Sequence, residues 1–340
     1  MLHKETILVS PFIYKDIQKP NNIDLNNSFS LRNDDKSIGY KRGEYNPNNQ
    51  ALKEIIGKYR NLTNENVILT SSGVCLATML AVSKEFNRIL YYPNTYPEMK
   101  DAYNTLNTAC ELKSLSEMSE NDLLCIETHK IPECTTNLDT LEDIIEYVHS
   151  KKAFILIDNS HLSLNYNPFD EFDIDFELTS LSKHTIGFNN SLVGCLICNE
   201  KDTVKQKFTT IRDVKSRLGF QLHPLDCYFI SLGLQTLQLR MNKVQQNEKS
   251  FKSFLSSENI PYTNIPNAGV FFIKTSGDFD SSELYKLKLY NVADTFGSNF
   301  TVFKHWNDFG AIRISLGIEN EQDLIDDFKN IIPYLKAHLR

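Results

Sequence analysis

In the stretch SLSKHT, residues 180–185, Lys183 is framed by the hydroxyls of Ser180 and Ser182, both able to bind a phosphate. Upstream, the apolar run AFILID ends on Asp158, where an unpartnered carboxylate would be costly. Earlier still, VILT gives way to Ser71, Ser72 and Gly73 just where a helical pattern begins, so their backbone N–H groups form an anion site. Each feature alone has an ordinary explanation. Ser-Ser-Gly is a common helix cap, Asp158 can cap a loop, and a lysine between serines can be solvated surface.

Together they define a chemistry. A phosphate site, a buried acid and an amine at neighbouring strand ends are what pyridoxal phosphate requires. The lysine forms a Schiff base, the acid keeps the pyridine nitrogen protonated so that the ring can accept electrons, and the helix N-terminus holds the phosphate.

The elements around these residues follow a regular alternation. Apolar periodicity predicts helices over 50–60, 73–86, 97–107 and 138–152, with Leu76, Met79 and Leu80 on one face of the second and Asp139 in the first turn of the last. Between them lie strand patterns at 67–70, 88–93, 123–128, 153–158 and 191–198. Strands that are apolar throughout and alternate with helices indicate a mostly parallel sheet covered on both faces, with ligands at the carboxyl ends of the strands. After Pro224 a long helical stretch runs towards residue 255 and serves as a hinge. A smaller unit follows, with strand AGVFFIKT, capped helix SSELYKLKLYN, strand AIRISLGI and a closing helix from Glu321. Residues 20–50, rich in Asn, Asp, Gly and Pro, read as an extended arm with turns. The expected division is an arm over 1–45, a large domain over 46–235 and a small domain over 236–340.

The 340 residues suffice for this plan, and a net charge of −7 argues against a nucleic-acid partner. The N-terminal patches are broken by Lys4, Glu5 and Lys15, unlike a secretory signal, and no run approaches the roughly 18 apolar residues of a membrane helix. Seven cysteines, an odd number, suggest free thiols in a reducing compartment, so a cytoplasmic location is expected. The pair Cys195 and Cys198 in GCLIC could be a redox or zinc motif, but with no second pair nearby it reads as two small hydrophobes on a buried strand.

The chain resembles the Cys/Met metabolism pyridoxal-phosphate enzymes, a family that includes cystathionine γ-synthase, cystathionine γ- and β-lyases, methionine γ-lyase and the homoserine sulfhydrylases. The likeness runs from about residue 40 to the C-terminus. YKRGEYNPNNQALKEII resembles the family's Tyr-x-Arg…Asn-Pro segment, TSSGVCLAT its Ser-Ser-Gly-Met turn, LIDNS its Val-Asp-Asn-Thr strand end, and SLSK its Ser-Ala-Thr-Lys. Most specific is LGFQLHPLDCYFISLGLQTLQLRM, residues 218–241, and AIRISLGIENEQDLIDDF is similar to the family's closing segment.

The resemblance implies the fold of PLP-dependent transferases of fold type I, with a large mostly parallel-sheet α/β domain and a smaller C-terminal α/β domain. It implies that Lys183 carries pyridoxal 5'-phosphate and moves protons at Cα and Cβ, and that Asp158 pairs with the pyridine nitrogen. Ser72, Ser180, Ser182 and the backbone of Gly73 and Val74 hold the phosphate. Tyr96 stacks on the ring and acts as acid or base, although it also reads as a core tyrosine at a strand end. Tyr40 and Arg42 reach the phosphate of a neighbouring subunit, giving a homodimer or homotetramer with shared sites. Arg313 clamps the substrate α-carboxylate, its bland alternative being a buried structural arginine. ADTFGS, residues 293–298, places Thr295 at the substrate and Asp294 where an acid would meet a cationic far end, unless Asp294 is simply an exposed loop carboxylate.

The expected activity is β/γ-elimination or γ-replacement on an amino acid, in sulfur amino-acid or related specialised metabolism. The alternatives are transamination or decarboxylation on the same cofactor, and a catalytically impaired member with a subunit or regulatory role. Two departures bear on this choice. Ile131 stands where the family has an asparagine at the ring hydroxyl, and Asp101 falls near where many members have an arginine. The chain is also shorter than typical members.

Overall fold

The computed structural model describes residues 47–340, apart from 93–94, 107–108, 278, 281, 283–290, 293–294 and 307–308. The arm expected over 1–45 and most of the expected helix SSELYKLKLYN lie outside the described residues.

The large sheet has seven strands: β1 (Val67–Thr70), β2 (Ile89–Tyr91), β3 (Ala109–Glu111), β4 (Leu123–Glu127), β7 (Phe154–Asp158), β8 (Phe176–Ser180) and β9 (Gly194–Cys198). Their order is β1-β9-β8-β7-β4-β2-β3, and β9 alone runs against its neighbours β1 and β8. Gly194 opens β9 because a Cβ there would sit 2.3 Å from the carbonyl oxygen of Ser72. A short antiparallel pair, β5 (His129–Lys130) and β6 (Thr135–Thr136), follows β4.

Pleating sends alternate residues of each strand to opposite faces. On one face Ile68, Leu196, Cys198, Leu156 and Leu123 pack under α2 (Gly73–Ser83), α3 (Pro97–Thr105) and α5 (Asp202–Leu218). On the other, Leu69, Cys195 and Ile197 meet α1 (Pro47–Tyr59) and α6 (Pro224–Ser257), while Leu124, Ile155 and Ile157 meet α4 (Leu141–Ser150). Cys195 and Cys198 thus point into opposite cores as buried apolar groups, and no group able to hold a metal occurs among the described residues.

Two local outcomes differ from the sequence pattern. The helix expected to reach residue 86 stops at Ser83, because Lys84 turns left-handed (φ 56°). Phe86 is thereby freed to pack edge-on against Phe154 and Phe176. Strand β8 is absent from the apolar pattern because Glu177 interrupts it. Its carboxylate is buried and accepts from Arg60 at 2.5 and 2.6 Å and from Asn159 at 2.9 Å.

The helix α6, 34 residues long, spans about 50 Å. Cys227, Ile230, Leu234, Leu237, Met241 and Val244 pack into the large-sheet core, while Phe251, Phe254 and Leu255 belong to a second core. That second core underlies a five-stranded sheet of order β10-β11-β14-β13-β12, made of β10 (Thr263–Ile265), β11 (Val270–Lys274), β12 (Asn291–Val292), β13 (Val302–Trp306) and β14 (Ala311–Ser315). Phe251 meets Phe271 and Phe328 edge-on there, and α7 (Glu321–Lys329) and α8 (Ile332–Ala337) close the chain.

Candidate active site

The carboxyl ends of β1, β4, β7 and β8 and the inner strands of the small sheet enclose a cavity of about 320 Å³. Ser72, Gly73, Val74, Tyr96, Asp158, Ser180, Ser182, Lys183 and Arg313 all line it, as the sequence predicts. Thr295 joins them through its bonds to Lys183 and Arg313. Tyr40, Arg42 and Asp294 lie outside the described residues.

At one wall, Ser72 caps α2, its hydroxyl accepting from the Cys75 N–H at 3.2 Å. A Cβ at Gly73 would meet nothing within 4 Å, so bare backbone at the positive end of the helix borders the cavity. Ser180, at the end of β8, adds a hydroxyl. Ser182 is more committed, accepting from the Val193 N–H at 2.7 Å and donating to the Val193 carbonyl at 3.4 Å.

The parallel register sets Glu127 beside Asp158. Asp158 accepts the Ser160 N–H at 2.9 Å, and Ser160 accepts the Ser180 N–H at 2.9 Å, which ties the ends of β7 and β8 together. Burial pushes the Asp158 carboxyl upward, with the Ser160 bonds acting against it. Burial, reinforced by the charge of Asp158, raises Glu127 well above the ordinary carboxylate range. Two adjacent acids at one strand edge thus leave room for a single strong negative charge unless a cation joins them. Glu127 also accepts the Tyr96 N–H at 2.5 Å, fixing the entry of α3. The Tyr96 side chain packs on the large-sheet core while bordering the cavity, so it serves in both of its expected capacities.

Lys183 follows β8 in a tight turn and donates to the Thr295 hydroxyl at 3.0 Å, with its ammonium 4.9 Å from the centre of the Phe296 ring. Burial, then the nearby Arg313 charge, lowers its pKa to about 8. Arg313, on β14, donates to the Thr295 carbonyl at 2.6 Å and lies over Trp306 and Phe296 at 5.3 and 5.6 Å. Thr295 therefore holds both cations, one by its hydroxyl and one by its carbonyl.

Several wall residues escape the sequence reading. Ser160 stands two residues after Asp158 and could have been found from that position. His161 stacks on Phe296 at 5.3 Å, and burial with the surrounding cationic groups pushes its imidazole down to about 3, so it is neutral. Phe272 and Trp306 carry no sequence signal beyond being aromatic. Ile131 is buried against Phe272, Phe296 and Trp306, so the departure from asparagine puts an apolar contact on the wall. Asp101 is exposed on α3 and does not line the cavity.

The donor set fits pyridoxal phosphate: an uncovered helix N-terminus with adjacent hydroxyls for the phosphate, a buried acid pair that a pyridinium would neutralise, and an amine of lowered pKa.

Comparisons agree with this fit. Residues 12–268 match the Cys/Met metabolism PLP-dependent enzyme profile. The cystathionine gamma-lyase of Dictyostelium discoideum is 24% identical over 339 residues, covering 84% of this chain and 85% of that protein. The Bos taurus cystathionine gamma-lyase is 26% identical over 246 residues, 61% of this chain and 59% of the bovine protein. The crystal structure of yeast cystathionine gamma-lyase superposes with a TM-score of 0.77 at 18% identity, covering 97% of this chain and 99% of that one. With profile, fold and donor set in accord, the chain belongs to the Cys/Met metabolism PLP-dependent enzyme family.

Proposed function

We propose that the protein catalyses elimination or replacement at the β or γ carbon of an amino acid, in the manner of cystathionine γ-lyases and γ-synthases. The observation that carries this reading is the double use of Thr295, which holds the Lys183 amine and the Arg313 guanidinium over one cavity. When bound, pyridoxal phosphate supplies an aldehyde for an amine to condense with and a protonated ring that accepts electrons from Cα.

The chain's own residues do the rest. Ser72, Gly73, Val74, Ser180 and Ser182 hold the phosphate, and Asp158 holds the ring nitrogen's proton. Arg313 takes the substrate carboxylate, fixing which Cα bond faces the lysine. The Lys183 amine, with a pKa near 8, changes protonation close to neutral pH and can carry a proton from Cα to the neighbouring carbons. Tyr96 covers the ring and assists the leaving group. The apolar wall of Ile131, Phe272 and Trp306 excludes water from the reacting carbons. Asp294 would meet a cationic far end of the substrate.

A dimer or tetramer is part of this reading. Leu192, 68% exposed, borders the cavity, and Phe188 and Phe300 are likewise exposed at 53% and 60%, apolar surface suited to a second copy whose Tyr40 and Arg42 complete the phosphate site. Seven free cysteines, five of them buried, accord with a reducing, cytoplasmic setting.

The test is to incubate the cofactor-loaded protein with cystathionine, an O-acyl-homoserine and cysteine in turn and follow keto acid, ammonia and thioether. Product from at least one of them, lost in Lys183→Ala, is expected. Silence across all three would refute the assignment, and retention of the amino group on the cofactor would point to transamination instead.

A further inference from the structure

The motif GLQTLQLRM, residues 233–241, contributes nothing to the cavity wall, yet it grips the back of the turn that carries Lys183. Arg240 projects from α6 and is buried. Its guanidinium donates to the carbonyls of His184 at 2.7 Å, Thr185 at 2.8 Å and Gly233 at 2.9 Å, and its Nε donates to the Thr236 hydroxyl at 3.0 Å. All four acceptors are neutral. A buried cation arranged this way is expensive to keep, and a hydrophobic residue would pack helix to turn at less cost. What the planar fork adds is geometry, because it fixes two successive carbonyls directly after Lys183.

The surroundings are shaped to the same end. A Cβ at Gly233 would lie 2.3 Å from the Thr185 carbonyl oxygen, so that glycine lets α6 approach the turn. Gly187, at φ +73°, leaves space that a Cβ would take from Arg240 Nη1 at 2.4 Å. From the other side, the Asn299 N–H donates to the Gly187 carbonyl at 2.7 Å. The turn is thus clamped between α6 and the loop that bears Thr295.

We infer that Arg240 is a positioning residue, setting the direction from which the Lys183 amine meets the cofactor's aldehyde. The inference rests on Lys183 being the point of attachment. In that step the amine nitrogen forms a C=N bond to the aldehyde carbon, and the carbonyl oxygen leaves as water with the two amine protons.

The experiment compares two ligands on the intact chain. Pyridoxamine 5'-phosphate occupies the site without linking to the lysine, and its affinity is read from quenching of Trp306, the single tryptophan, which borders the cavity. Pyridoxal 5'-phosphate links, and the linked fraction over time is read by borohydride reduction and mass spectrometry of the Lys183 peptide. In Arg240→Gln the linking rate should fall by roughly tenfold or more, the scale on which a misplaced reacting group is felt, while pyridoxamine phosphate affinity stays unchanged. Arg240→Lys should recover part of the rate. Thr236→Val, which keeps the arginine and removes its Nε acceptor together with that hydroxyl's bond to the Gly233 carbonyl, should lower the rate in the same direction and serves alone where Arg240 variants do not fold. Equal weakening of both ligands, or an unchanged linking rate, would overturn the proposal. Failure of the wild-type chain to link at all would overturn the Lys183 assignment and the proposal with it.

Discussion

Replacing Lys183 with methionine should stabilise the cofactor-free protein at neutral pH, and by less as the pH rises. In the unfolded chain the amine titrates at its ordinary 10.5, and in the folded protein at about 8, chiefly because it is buried. Between those values the unfolded chain holds a proton that the folded one has given up, so raising the pH through this window favours folding. Below pH 8 both states are protonated and the full cost of burying the ammonium is present. Above 10.5 both are neutral and the cost is gone. At about 1.4 kcal/mol per pKa step, the interval amounts to about 3 kcal/mol at pH 7, falling to about 1 kcal/mol at pH 10. Methionine is unbranched, shorter by one heavy atom, and carries no such cost at any pH. Loss of the Thr295 bond subtracts about 1 kcal/mol from the absolute gain and leaves its pH dependence intact. Urea denaturation of the two cofactor-free proteins at pH 7 and pH 10 gives the comparison. A difference between variant and wild type that does not shrink with pH would refute the reasoning.

Three further outcomes follow from the same contacts. Glu177→Gln leaves the Arg60 guanidinium buried without its carboxylate and should cost about 3–5 kcal/mol in urea melts, with part of the loss recovered in an Arg60→Met, Glu177→Leu double variant. Arg313→Lys keeps the charge but loses the fork and the stack on Trp306. KM for the amino acid should rise roughly 10- to 100-fold, the worth of one charge-assisted hydrogen bond, with kcat changed less. Ser72→Ala removes the cap of α2 and should lower stability by about 1 kcal/mol, together with weaker retention of the cofactor in dialysis.

The chemistry was legible where it is concentrated in short runs. Ser72-Gly73 and Asp158 each stand at the end of an apolar strand, Lys183 is marked by its flanking serines, and a sheet of this kind brings strand ends to one edge. The alternation of strands and helices showed wherever burial is uniform. It failed at β8, where a paired acid breaks the apolar run, and at α5, where only Val204, Phe208, Ile211 and Lys215 are buried and polar residues dominate. The second layer of the site left no trace, because its contacts join distant parts of the chain. His161 meets Phe296, Lys183 meets Thr295, and Ile131 meets Trp306 across separations that no local pattern encodes. Glu127 falls inside the strand pattern at 123–128, but nothing local to it marks its grip on the Tyr96 N–H.

Because α6 is threaded unbroken through both cores, the two lobes cannot drift apart without rupturing intrahelical bonds. The motion left at low cost is a slight bend of the rod. A bend of about 5° at its middle carries its end, about 25 Å away, by about 2 Å. That distance suffices to part Thr295 from Lys183, so opening the mouth for an incoming molecule and releasing the amine would be one event.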